Sequence, residues 1–258
     1  MRLVLVPGFT QTASAWDPVR AELHVPGSPS QARAPSSSVG GAAELGSDGD
    51  GTDDVVALDV PTGLDFAATA HALGETGGRA VYAGYSRGGR LCLQLALDRP
   101  DLVAGLVLIS GSPGIADATE RAARRDADEQ LAAELERDGL EPFLRRWLAQ
   151  PLFASLPEED AGLDIRLAEN TVPALAHELR ALGQGVQEPL WDRLGDLAVP
   201  FIPVAGNLDE KYVAIAHRMA AATGVEAVVI RGAGHAVHLE QPGEVARVLD
   251  HARHATTS

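Results

Sequence analysis

Six short, mostly apolar runs punctuate the chain: Leu3 to Val6, Val55 to Val60, Ala80 to Ala83, Leu106 to Ile109, Phe201 to Ala205 and Ala227 to Ile230. Continuous runs of this length suit strands buried on both faces, as in a parallel sheet. Between them the apolar positions recur at helical spacing, as in Arg87 to Leu97 and Val245 to Ala252. The alternation predicts an α/β protein with a mostly parallel, doubly wound sheet.

Two stretches break the alternation. The first, "PGSPSQARAPSSSVGGAAELGSDGDGTDD" at 26–54, is rich in Gly, Ser, Pro and Asp and nearly devoid of large apolar residues. It cannot bury enough surface to offset its ordering entropy, which predicts a mobile surface insertion. The second, 114–189, has no strand signal. It reads as helices over Asp117 to Arg137, Glu141 to Ala149, Glu158 to Glu169 and Val172 to Leu182. Helices inserted between two strands of such a sheet predict a cap over the carboxyl ends of the strands, where ligands bind. Residues 1–113 and 190–258 then form the core, with a fraying tail after Asp250.

Composition narrows the partners. The chain has 258 residues and a formal net charge of -15, which opposes nucleic acid and anionic membranes. No apolar run approaches the roughly 20 residues of a membrane span, and the start "MRLVLVPGF" does not read as a signal peptide. A cytoplasmic protein is expected. Cys92 is the single cysteine, so neither a disulfide framework nor a CxxC metal site is available. No metal or cofactor is expected.

The chemistry begins at "AVYAGYSRGGR", where a strand run meets Gly84-Tyr85-Ser86-Arg87-Gly88 and then a helix. G-x-S-x-G in that setting is a nucleophile elbow: a sharp turn presents the Ser86 hydroxyl at the sheet edge. Alone it is a weak signal, since a plain glycine-rich turn reads the same. Partners in the order Ser, acid, His give it weight. Asp209 follows the strand of "FIPVAGNLDEKY", and His235 follows that of "VVIRGAGHAVHLEQP". His235 would take the proton of Ser86, and Asp209 would orient and balance the imidazole. His238 is the rival base and is expected to be structural or pocket-lining. The two oxyanion donors are expected to be the backbone N–H groups of Arg87 and Phe9.

In these residues the chain resembles the menaquinone-pathway α/β-hydrolase-fold enzymes, the 2-succinyl-6-hydroxy-2,4-cyclohexadiene-1-carboxylate (SHCHC) synthases. The likeness runs from Leu3 to about Val248. It is carried by "GYSRGGR", "SPGIADATERAARRDADEQLA", "WLAQPLFASL" and "IRLAEN…ELRALGQGVQEPLWDRL". The resemblance implies elimination of pyruvate from an enolpyruvyl-bearing polycarboxylate, with Ser86, Asp209 and His235 as the triad. It also implies that Arg90, Arg124, Trp147 and Arg166 bind substrate, and Tyr85, beside the nucleophile, is expected to join them. Arginine suits such a ligand, because its guanidinium grips carboxylates in a bidentate fork. Arg90 lies one turn after Ser86, and Arg121, Arg124 and Arg125 share a helix face. A solvated face neutralised by Glu120, Asp126, Asp128 and Glu129 is the competing reading, favoured for Arg125.

Three places depart from the family pattern. Pro7-Gly8-Phe9 lacks the histidine of an HGF motif, "VPTGLD" lacks that of a PGHG motif, and the 26–54 insertion is unusual. Two other functions remain in contention: a serine hydrolase of a small ester or a carbon–carbon bond, and a receptor-like binder with a vestigial triad. An arginine cluster in the pocket separates the lyase from the hydrolase. Survival of function without the Ser86 hydroxyl would mark the binder.

Overall fold

The computed structural model describes residues 1–23 and 55–256, so the stretch expected to be a surface insertion lies outside the described residues. The apolar runs form six strands: β1 (Leu3–Val6), β2 (Val55–Ala57), β3 (Ala80–Tyr85), β4 (Val103–Ile109), β5 (Phe201–Gly206) and β6 (Val228–Ile230). They pair in the order β2-β1-β3-β4-β5-β6, every pair parallel. The order reverses between β1 and β3, which opens a crevice at their carboxyl ends.

Among the described residues, α1 (Asp17–Leu23), α2 (Phe66–Gly77) and α3 (Arg87–Asp98) precede an inserted helical block. The block, α4 (Ala118–Asp138), α5 (Leu140–Leu148), α6 (Leu163–Glu169) and α7 (Val172–Leu182), falls between β4 and β5. The helices α8 (Glu210–Thr223), α9 (Val237–Glu240) and α10 (Pro242–Ala255) complete the chain.

Both faces of the sheet are dry because successive side chains of a strand point to opposite sides. Leu3 and Leu5 pack with Trp16, Val19 and Leu249 of the α1/α10 layer. Val4 and Val6 pack with Phe66, Leu73, Leu91 and Leu95 of the α2/α3 layer. The inserted helices have their own apolar cluster, including Leu135, Phe143, Leu144, Leu175 and Leu179, and Phe9 of the core packs against it.

Three elements differ from expectation. The tail expected to fray after Asp250 continues α10 to Ala255. The strand expected over Val55 to Val60 stops at Ala57. The helix expected over Glu158 to Glu169 is a 3₁₀ turn, Glu158–Asp160, followed by α6. Gly162 separates them with φ 66°, a left-handed conformation that an α-helix does not contain and that glycine adopts freely. Where capping signals exist, the helix starts agree: Asp117 accepts from Glu120 N at 2.8 Å, and Thr171 from Ala174 N at 3.3 Å.

Candidate active site

Ser86 sits between β3 and α3 with φ 51° and ψ -107°. A serine held there is strained, and the surrounding chain must over-determine it. The glycines permit that. A Cβ on Gly88 would stand 2.2 Å from the Val6 carbonyl oxygen, and one on Gly84 would stand 2.4 Å from Gly88 backbone. The Ser86 N–H donates to Ile109 O at 2.8 Å, which ties the elbow to β4.

The three motifs meet in space. His235 Nε2 lies 3.3 Å from Ser86 Oγ, and His235 Nδ1 lies 2.7 Å from Asp209 Oδ2. His235 is 2% exposed and Asp209 9%. Asp209 also caps α8, its Oδ1 accepting from Tyr212 N at 3.2 Å. The carboxylate is thus fixed by the helix it begins. This constellation can move a proton from the serine hydroxyl to the imidazole.

The rival histidine has a different setting. His238 is fully buried, and neither ring nitrogen has a hydrogen-bond partner. It packs against Tyr85, ring centroids 4.2 Å apart, and Trp16, 5.0 Å apart. Burial pulls its pKa down to about 3, so the ring is neutral at physiological pH. It is a packing residue behind the site.

A cavity of about 330 Å³ opens at the triad. Phe9, Tyr85, Ser86, Arg87 and His235 line its floor, and Arg124, Trp147 and Glu178 of the inserted helices line its wall. Phe9 and Arg87 line the same floor as Ser86. The Arg87 N–H belongs to the first turn of α3, where no intrahelical acceptor exists. Trp147 meets Phe9 edge-on, with centroids 4.9 Å apart.

The arginines divide. Arg124 reaches the cavity half-exposed, with Nε on Asp128 Oδ1 at 2.8 Å and Nη1 on Gln184 Oε1 at 3.3 Å. Arg90 also reaches the wall, but Nη1 donates to Gln187 Oε1 at 3.0 Å and Nη2 to the Leu182 carbonyl at 2.8 Å. Burial pulls its guanidinium down to about 10. Arg125 points to solvent. Arg166, expected to bind substrate, does not line this cavity. It lines a separate cavity of about 350 Å³. Its Nε donates to the Ala161 carbonyl at 2.8 Å and its Nη1 to Thr10 Oγ1. The second of these contacts ties α6 to the loop after β1.

Sequence reasoning did not place Tyr212, Gln184 or Glu178 in the site, and it read Asp128 only as a neutraliser of a solvated face. Tyr212 packs its ring 4.6 Å from that of His235, and its hydroxyl receives Gln184 Nε2 at 3.1 Å. Asp128 enters the cavity as a buried carboxylate. Glu178 pairs with Arg87. Tyr212 alone had a signal, three residues after the candidate acid at the start of a helix.

Known proteins share this architecture. A profile of the alpha/beta hydrolase family matches residues 3–248. A protein of Salmonella paratyphi B named 2-succinyl-6-hydroxy-2,4-cyclohexadiene-1-carboxylate synthase is 31% identical over 252 residues, 94% of this chain and 90% of that one. A Bacillus subtilis relative with a provisional form of the same name is 40% identical over 166 residues, 62% of this chain and 60% of its own length. The structure of MenH from S. aureus superposes with a TM-score of 0.82 at 25% identity, covering 100% of this chain and 95% of that one. With an elbow serine, an acid and a histidine on loops after β3, β5 and β6 of a parallel sheet, the chain belongs to the alpha/beta hydrolase family and, within it, to the group resembling the SHCHC synthases.

Proposed function

We propose that this protein is a carbon–oxygen lyase of menaquinone synthesis that eliminates pyruvate from an enolpyruvyl-bearing succinyl-cyclohexene carboxylate to give SHCHC. The observation that carries the reading is an arginine, Arg124, facing a Ser86–His235–Asp209 triad across one cavity. The names of the relatives agree with it.

The chemistry follows from the groups present. His235 takes the Ser86 proton, and the serine oxygen takes a ring proton beside the succinyl carbonyl. The electron pair of that C–H bond becomes enolate. The Phe9 and Arg87 N–H groups hold the charge on the carbonyl oxygen. The enolate then collapses, forming the ring double bond as the C–O bond to the enolpyruvyl group breaks. The leaving enolate takes up the proton held by His235 and becomes pyruvate, which returns the three side chains to their starting state. No acyl-enzyme forms and no cofactor takes part. Arg124 holds a carboxylate so that the ring proton meets Ser86. Trp147 and Tyr85 supply apolar walls for the ring.

One observation favours a second reading. Asp128 offsets the charge of Arg124 inside the cavity, which suits a serine hydrolase of a less highly charged ester. Incubation with the enolpyruvyl intermediate and with a neutral nitrophenyl ester separates the two. Pyruvate release from the first supports the lyase. A burst on the second without pyruvate from the first supports the hydrolase.

A further inference from the structure

The Arg87 side chain is as placed as its backbone. It is 2% exposed, and it does not project into solvent as a residue on the first turn of a helix could. Nη1 pairs with Glu178 of α7, and Nη2 donates to the Gly8 carbonyl at 2.9 Å. Gly8 C=O and Phe9 N–H are the two ends of one peptide unit. That unit is planar and trans, so fixing the carbonyl fixes the direction of the N–H. Phe9 N–H is the second oxyanion donor in the proposed chemistry.

The other side of Phe9 is held as well. Thr10 is fully buried with φ 65°, a conformation a β-branched residue rarely keeps unaided. Its hydroxyl receives Arg166 Nη1, and its carbonyl receives Asn170 Nδ2 at 3.1 Å. The Phe9 ring lies against Trp147 and Phe143 of α5. The Gly8 carbonyl also accepts from the Gln11 N–H at 3.2 Å within its own loop; the Arg87 bond to it is supported by Glu178 of α7, and the contacts on Phe9 and Thr10 come from the inserted helices.

We propose that Glu178 and the Arg87 side chain are positioning residues that aim the Phe9 N–H, so that the inserted helices set the oxyanion hole of the core. The Arg87 guanidinium joins three parts: helix α7, the loop after β1 and the elbow whose own N–H is the other donor. The pair is poorly exchangeable. An ammonium is a point charge that can meet Glu178 but lacks the planar fork needed to reach the Gly8 oxygen at the same time. Loss of Glu178 alone would leave a buried guanidinium without its counter-ion and free to turn away from Gly8. The inference rests on the oxyanion role assigned to Phe9 and Arg87 under the proposed function.

The test uses a small aryl trifluoromethyl ketone as well as the enolpyruvyl substrate. Ser86 Oγ adds to the ketone carbon, its proton passes to His235, and the ketone oxygen becomes an oxyanion in the hole. The adduct therefore reports the hole without the natural reaction. The variant is Arg87→Met/Glu178→Met, which removes both buried charges and keeps volume. We expect kcat for pyruvate release to fall about 10- to 100-fold with KM within about threefold, since losing one oxyanion donor outright costs about 10²–10³. Affinity for the ketone, read by ¹⁹F NMR, falls by a similar factor. Arg87→Lys retains the pairing charge and falls several-fold on both readouts, and it decides the matter if the double variant melts under assay conditions. A wild type that binds the ketone and a folded variant that binds it equally would overturn the positioning role while the triad stands. A wild type that forms no adduct would overturn both.

Discussion

The carboxyl edge of the sheet and the helical wall opposite it are built by different rules. At the edge, Ser86, Asp209 and His235 are each placed by their neighbours in sequence. Ser86 is set by the elbow glycines, Asp209 by the helix it caps, and His235 by the loop after β6. On the wall, arginines that look alike in sequence have unlike tasks. Arg124 faces the cavity, while Arg90 and Arg166 are anchored to backbone carbonyls and neutral side chains. Local geometry decides the first region and tertiary contact the second. A buried guanidinium takes whichever acceptors lie within reach, and those come from residues distant in sequence.

The largest expected effects test the edge. Ser86→Ala, His235→Ala and Asp209→Asn should each lower turnover by about two or more orders of magnitude, non-additively, because the three act as a unit. His238→Ala should cost far less turnover than His235→Ala. Equal damage would move the base to His238 and break the comparison at its strongest point.

A smaller effect tests the wall. Arg124→Ala should lower kcat/KM on the polycarboxylate about 10- to 100-fold, the equivalent of one charge-assisted contact of roughly 1.5–3 kcal/mol. Turnover of a neutral ester should hardly change. Arg124→Lys should recover part of the loss. Arg90→Met should behave otherwise, lowering both specificity constants by the same factor of about three to ten. Its Nη groups hold Gln187 and Leu182 and so support the wall as a whole. A selective loss on the polycarboxylate would return Arg90 to the role the resemblance implied.

These contrasts match what the sequence reveals. The parallel sheet is legible because strands buried on both faces leave continuous apolar runs. The meeting of Ser86, Asp209 and His235 is legible because each follows such a run and the order along the chain is restrictive. The break at Gly162 was harder to see, since a glycine near a helix start is compatible with either one helix or two. Arg166 was misplaced for another reason. An arginine fork suits a carboxylate, but here Nη1 donates to the hydroxyl of a loop residue 156 positions away, Thr10. The Arg87–Glu178 pair, 91 positions apart, left no local trace at all.

The smallest expected effect at neutral pH lies behind the edge, at His238. Its ring is packed by Trp16 and Tyr85, and Arg166 and His235 add their charge to burial in opposing protonation. The folded pKa is about 3, against 6.5 for an ordinary histidine. As pH falls through that interval the unfolded chain takes up a proton that the folded chain refuses. Stability from this group is therefore complete above about pH 6.5 and declines below it by roughly 1.4 kcal/mol per pH unit. Leucine cannot titrate and fills a similar space. His238→Leu should change unfolding free energy by less than about 1 kcal/mol at pH 7.5. At pH 5 it should gain about 2 kcal/mol relative to the parent. Urea unfolding at the two pH values reads the difference directly. If the two proteins lose stability in parallel between pH 7.5 and 5, His238 carries no buried, proton-refusing ring, and the edge of the sheet owes its order to something other than dry packing.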